Sequence, residues 1–98
     1  MQRLLLFTIF LSLPFYLLSQ TDEEKINQFV QDGIFHHDKK EYDKAIAQYT
    51  KALNLDSKST LVHYELALTY SEVPDYKKAI FHANKVLKQK NQLSLIHI

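Results

Sequence analysis

The sequence predicts an all-α chain: two antiparallel helix-turn-helix hairpins stacked as a short α-solenoid, preceded by an apolar N-terminal helix. Three observations predict it. The stretch Glu41–Leu53, EYDKAIAQYTKAL, returns as Asp75–Leu87, DYKKAIFHANKVL, with Tyr42 and Tyr76, Ala45 and Ala79, Ile46 and Ile80, and Leu53 and Leu87 each 34 residues apart. A fixed period of that size marks stacked helical repeats. Apolar residues recur at spacings of three and four along most of the chain, as one buried helix face requires. One Gly and two Pro in 98 residues suit helices joined by short turns rather than a turn-rich sheet protein.

Residues 1–19 stand apart. Met1, Gln2 and Arg3 give a short cationic start, and Leu4–Leu18 is an apolar run shorter than the roughly 20 residues a membrane span needs. Such a start, a short apolar core and then small or polar residues describe a secretory signal peptide, with cleavage expected after Ser19. The alternative is an uncleaved anchor in an inner membrane through residues 4–18. A lipid anchor would need a cysteine after the apolar run, and the chain has none. Location is accordingly expected to be a bacterial periplasm or exterior, and the absence of cysteine does not conflict with an oxidising compartment.

The expected domain runs from 20 to 92. Thr21 with Glu24 three residues later fits a capping box, and Asp22, Glu23 and Glu24 suit the positive end of a first helix. Ile26, Phe29, Val30, Gly33 and Ile34 carry its apolar face to about Phe35, after which His36 to Lys40 read as a polar turn. Tyr42, Ala45, Ile46, Tyr49, Ala52, Leu53 and Leu55 mark a second helix. Asp56, Ser57, Lys58 and Ser59 close it and supply caps for a third from about Thr60. The third helix, with Leu61, Tyr64, Leu66, Ala67, Leu68 and Tyr70, is apolar on more than one face, as expected of a helix between neighbours. Val73-Pro74 breaks it and Asp75 caps a fourth, which carries Tyr76, Ala79, Ile80, Ala83, Val86 and Leu87 and is expected to dissolve at Lys88 to Gln92.

Two helix pairs with this period, with small residues at matched places, resemble the tetratricopeptide repeat family. Units of about 26–59 and 60–93 place the family's positions on Phe29, Gly33, Ala45, Tyr49 and Ala52, then on Leu66, Ala67, Tyr70, Ala79, Ala83 and Val86. Gly33 facing Ala45, and Ala67 facing Ala79, would let each hairpin close to about 8 Å. Asp32, His36, His63 and Ala83 depart from the family's Leu, Tyr, Trp and aromatic, and Ser57 and Asn91 replace its terminal Pro. Residues 93–98 end in Ser-Leu-Ile-His-Ile, which resembles translated adapter sequence. On that reading the tail carries no biology and the chain is a fragment of a longer protein.

Composition excludes several classes of function. Without Arg3 the chain carries 11 Lys against 11 Asp plus Glu, and no basic block offers a nucleic-acid footprint. Cysteine nucleophiles, disulfides and thiolate metal sites are excluded outright. His36 and His37 point about 100° apart on a helix and do not converge on one metal ion. No Gly-rich phosphate loop or serine elbow is present, so neither enzyme activity, metal nor cofactor is expected.

The resemblance implies binding. In the family, inward-facing residues of the first helix of each unit hold a peptide. The corresponding residues here are Asn27, Val30, Ile34, His37 and Asp38, then Leu61, Tyr64, Leu68, Ser71 and Glu72. Val30, Ile34, Leu61, Tyr64 and Leu68 would form an apolar strip for an apolar partner segment. Val30 and Ile34 stand where chaperone-binding members use Lys and Asn to clamp a carboxylate, so that activity is not expected. The expected function is an exported, non-catalytic scaffold or adaptor. Two alternatives are the first repeats of a larger signalling protein such as a sensor histidine kinase, and a homo-oligomer sealed through the fourth helix and tail.

Overall fold

A computed structural model describes residues 20–96, with side chains through 91. Residues 1–19, where a signal peptide and an apolar helix are expected, lie outside the described residues, as do His97 and Ile98 at the tail. Four helices follow one another: α1 (Asp22–Asp38), α2 (Tyr42–Leu55), α3 (Thr60–Glu72) and α4 (Tyr76–Ile96). The protein is an all-α stack of two helical hairpins, α1 with α2 and α3 with α4, joined where α3 packs on the first pair.

Short polar side chains start three of the helices. Thr21 Oγ1 accepts the Glu24 N–H at 3.2 Å, Ser59 Oγ accepts that of Val62 at 3.3 Å, and Asp75 Oδ1 accepts that of Lys78 at 3.2 Å. Each bond satisfies an amide that the first turn leaves without a helical partner. The start of α2 is different, because Glu41 makes no capping bond and instead accepts from His36 Nδ1 at 3.2 Å and Lys44 Nζ at 3.1 Å. Both hairpins close with the same backbone contact: Glu41 N–H donates to the His36 carbonyl and Asp75 N–H to the Tyr70 carbonyl, each at 2.8 Å.

The expected polar turn from His36 to Lys40 is shorter than the sequence suggested. His36, His37 and Asp38 complete the last turn of α1, and the chain reverses at Lys39 and Lys40. Lys40 takes a left-handed conformation, φ 63°, which frees its neighbours to cap the helix carbonyls. The fourth helix also differs from expectation. It does not dissolve at Lys88 to Gln92 but continues as backbone helix to Ile96.

The core lies where three helices meet. Val30 of α1, Ala45, Tyr49 and Ala52 of α2, and Val62 and Leu66 of α3 form one buried cluster, with Ile26, Phe29, Ile34, Ile46, Leu53 and Tyr70 packed around it. Gly33 closes the first hairpin against Tyr49 rather than Ala45. A Cβ on Gly33 would overlap Tyr49 Cε1 and stand 2.7 Å from Cδ1 and Cζ, so only glycine lets the ring lie flat on α1. Burial pushes the Tyr49 phenol up to about 12, with Glu65 adding to the rise and the nearby Thr69 hydroxyl opposing it. Thr69 is itself held by His37, whose Nδ1 lies 2.8 Å from Oγ1. Among the described residues no group meets the Tyr49 hydroxyl in hydrogen-bonding geometry.

Candidate functional site

The second hairpin carries an apolar groove of about 630 Å³ between α3 and α4. Helical spacing of three and four places Tyr64, Ala67, Leu68 and Ser71 on one side of α3, and these form one wall. From α4, Ala79, Ile80 and Ala83 face them, and Tyr76 and Leu87 stand towards the two ends. The floor is low because Ala67, Ala79 and Ala83 are small. The rims remain exposed: Tyr64 is 51% accessible, Leu68 42% and Ile80 60%. Apolar side chains gathered in one concave surface of this size favour a partner that removes them from water.

The structure separates the residues that the sequence marks for binding. Tyr64, Leu68 and Ser71 converge in the groove. Leu61 is exposed on α3 but does not line it, and Asn27 is exposed on α1. Val30 is not available to a partner: at 2% accessibility it belongs to the core with Val62 and Leu66. Ile34 packs against that core, and His37 is tied to Thr69 with its ring edge-on to Tyr42, 5.3 Å between centroids. The expected strip therefore does not run unbroken across both units, because α3 covers the part of it that belongs to α1.

Sequence reasoning missed the α4 wall, having assigned Tyr76, Ile80 and Leu87 to helix packing. Their partners one period earlier, Tyr42, Ile46 and Leu53, are at least half-buried in the first hairpin, whereas Tyr76, Ile80 and Leu87 are 64%, 60% and 54% accessible.

Beside the groove, on the far side of the α3–α4 seam, two histidines meet. His63 Nε2–H donates to the Ser57 carbonyl at 2.9 Å, so in the neutral ring Nδ1 is the acceptor and takes the proton of His82 Nδ1 at 2.9 Å. His82 also stacks on Tyr70, 5.7 Å between centroids and 4° between planes. Burial lowers the His82 pKa, and His63, Lys85 and Lys78 lower it further. The arrangement is a part-buried hydrogen-bonded seam. Among the described residues no group of three or more His, Cys, Asp or Glu is placed to hold a metal ion.

Residues 36–73 match the family model described as a TPR repeat. The matched segment takes in the last turn of α1, all of α2 and all of α3, and so straddles the join between the two hairpins rather than one hairpin. This segment is similar to tetratricopeptide repeats, a class of helical hairpin that serves in protein–protein interaction. No curated protein and no solved structure matches the chain.

Proposed function

We propose that this chain is an exported, non-catalytic module that binds another protein through the groove between α3 and α4. The observation that carries the reading is the groove itself, an apolar concavity whose rims, Tyr64, Leu68 and Ile80, are exposed on packed helices. The similarity of residues 36–73 to TPR repeats supports binding as the general activity. Helices already packed on each other present those side chains without first ordering them, which reduces the entropic cost of association. Export is supported by the cationic start at Met1–Arg3 and the short apolar run of Leu4–Leu18, and predicts a mature chain beginning at Gln20 by mass spectrometry.

Replacing Tyr64 and Leu68 together by Ala tests the binding reading. The double variant is expected to lose a partner captured by the unmodified protein while its helical circular dichroism is unchanged. Leu61→Ala, which alters an exposed apolar side chain outside the groove, is expected to retain that partner. Equal capture by all three proteins would remove the groove as the binding surface.

A further inference from the structure

The groove has a counterpart inside the molecule. Moving back one period of 34 residues takes Tyr64 to Val30, Ala67 to Gly33 and Leu68 to Ile34, and on the neighbouring helix takes Ala79 to Ala45, Ile80 to Ile46 and Ala83 to Tyr49. In the first hairpin those residues form the seat of α3: Val30, Ala45 and Tyr49 are buried in one cluster with Val62 and Leu66, and Ile34 and Ile46 pack against it. The same face thus occurs twice, once under a helix and once open.

The two seats differ in one respect. In the covered seat the Tyr49 ring lies on Gly33 and fills the space between the helices. In the open seat the equivalent pair is Ala67 and Ala83, so the ring is missing and its space adds to the groove. Thr69 of α3 stands beside Tyr49, where a small side chain suffices. A helix laid in the open seat in the same way would bring its equivalent of Thr69 over Ala83, where a small side chain would leave a void.

Resting on the proposed use of this groove as a binding surface, we propose that its occupant is an amphipathic α-helix of a partner protein lying as α3 lies on the first hairpin. The helix is apolar at four positions spaced as Val62, Leu66, Thr69 and Tyr70, and it carries a large aromatic side chain at the place of Thr69. Packing density requires that substitution, since an interior void forfeits contacts on both of its walls.

Two observations favour a separate chain over the nearer sources. A second copy would offer α1, the period-equivalent of α3. Phe35 of α1 does stand at the place of Thr69, but Gln28 and Asp32 stand at those of Val62 and Leu66. Leu66 is 2% accessible at the centre of its seat, and a carboxylate there would lose its hydration with no cation to meet it. The turn that sets α3 on the first hairpin has no counterpart at the same place in the second. Asp56, Ser57 and Lys58 bring α3 back onto the first hairpin, whereas their equivalents Lys90, Asn91 and Gln92 continue as helix.

Two labelled peptides spanning residues 59–73 test the proposal by fluorescence anisotropy, one with the natural sequence and one with Thr69→Phe. The Phe peptide is expected to bind the unmodified protein at least about tenfold more tightly, from the extra apolar area buried over Ala83. On the variant Ala83→Tyr, which restores the ring of the first hairpin, the order of the two peptides is expected to reverse. A thermal melt reports whether that variant folds, and Leu68→Asp, a change at the groove's rim, is expected to abolish binding of both peptides independently. Equal affinity of the two peptides, or binding that survives Leu68→Asp, would overturn the proposal. Capture of a partner through Tyr64 and Leu68 with neither peptide bound would overturn the helical register while leaving the binding surface in place. Self-association of the unmodified protein in light scattering, lost in Leu68→Asp, would overturn the assignment to a separate chain.

Discussion

Gly33 of α1 lies beneath the ring of Tyr49 of α2, so close that a Cβ on the glycine would stand 2.7 Å from two of the ring carbons. The ring cannot yield, since Tyr49 is wholly buried among Val30, Ala45 and Val62. Gly33→Ala gains about 1 kcal/mol of helix propensity but forces the first hairpin apart, and overpacking of this kind costs roughly 1–3 kcal/mol. The expected outcome in urea unfolding is a net loss of up to about 2 kcal/mol, where an exposed helical glycine would show a gain.

Tyr49→Phe is expected to do the opposite. The phenol hydroxyl is buried without a partner, and a polar group in that state costs stability. Its removal is expected to raise stability at neutral pH by about 0.5–1 kcal/mol. The alkaline limb should change too. With the folded pKa at about 12 and the unfolded value near 10, the folded state keeps a proton that the unfolded chain gives up. Tyr49 therefore adds stability that is fully present below about pH 10 and is lost as pH rises through 12. Chemical unfolding of both proteins between pH 9 and 11 should show a shallower decline for the Phe variant.

These relationships divide into those a sequence carries locally and those it does not. Thr21, Ser59 and Asp75 were legible as caps because each bonds an amide three residues on, within one turn of the chain. The four helices were legible because their apolar spacing repeats. The partner of Gly33 was not, because the choice between Ala45 and Tyr49 depends on how far one helix slides along the other. The end of α1 was misplaced because it depends on Lys40 accepting a left-handed backbone, which its side chain does not advertise. The groove was half legible: Tyr64 and Leu68 lie on one helix at a readable spacing, but the α4 wall is a surface only because nothing among the described residues covers it. His63 and His82, 19 residues apart, meet only through the packing of α3 on α4.

That histidine pair predicts acid sensitivity. Its neutral form places the one proton of His82 between two ring nitrogens, and a second proton on His82 would leave a cationic ring partly buried near Lys85 and Lys78. The lowered pKa of His82 means that the unfolded chain takes up a proton before the folded one does. Stability from this seam is present above the ordinary histidine value of about 6.5 and is lost as pH falls through the lower folded value. Melting temperature is expected to drop between pH 7 and pH 5. His82→Phe, which keeps a ring against Tyr70, is expected to flatten that drop while lowering stability at pH 7 by about 1 kcal/mol, because His63 Nδ1 loses its donor.

The outer face of α1 makes a sharper prediction about assembly. Repetition gives α1 the same register as α3, and Phe35 already occupies the place that the groove over Ala83 requires. In that register Gln28 and Asp32, both exposed on α1, would set polar side chains against the apolar groove of another molecule. Gln28→Val with Asp32→Leu would restore the apolar pattern of Val62 and Leu66. Docking α1 of one copy on the α3–α4 face of the next joins two different surfaces, and such a contact propagates rather than closing into a pair. The double variant is expected to show a mass that climbs with concentration in light scattering, without a plateau at two copies. Adding Leu68→Asp should abolish that growth, because the carboxylate then meets the apolar helix within the same groove.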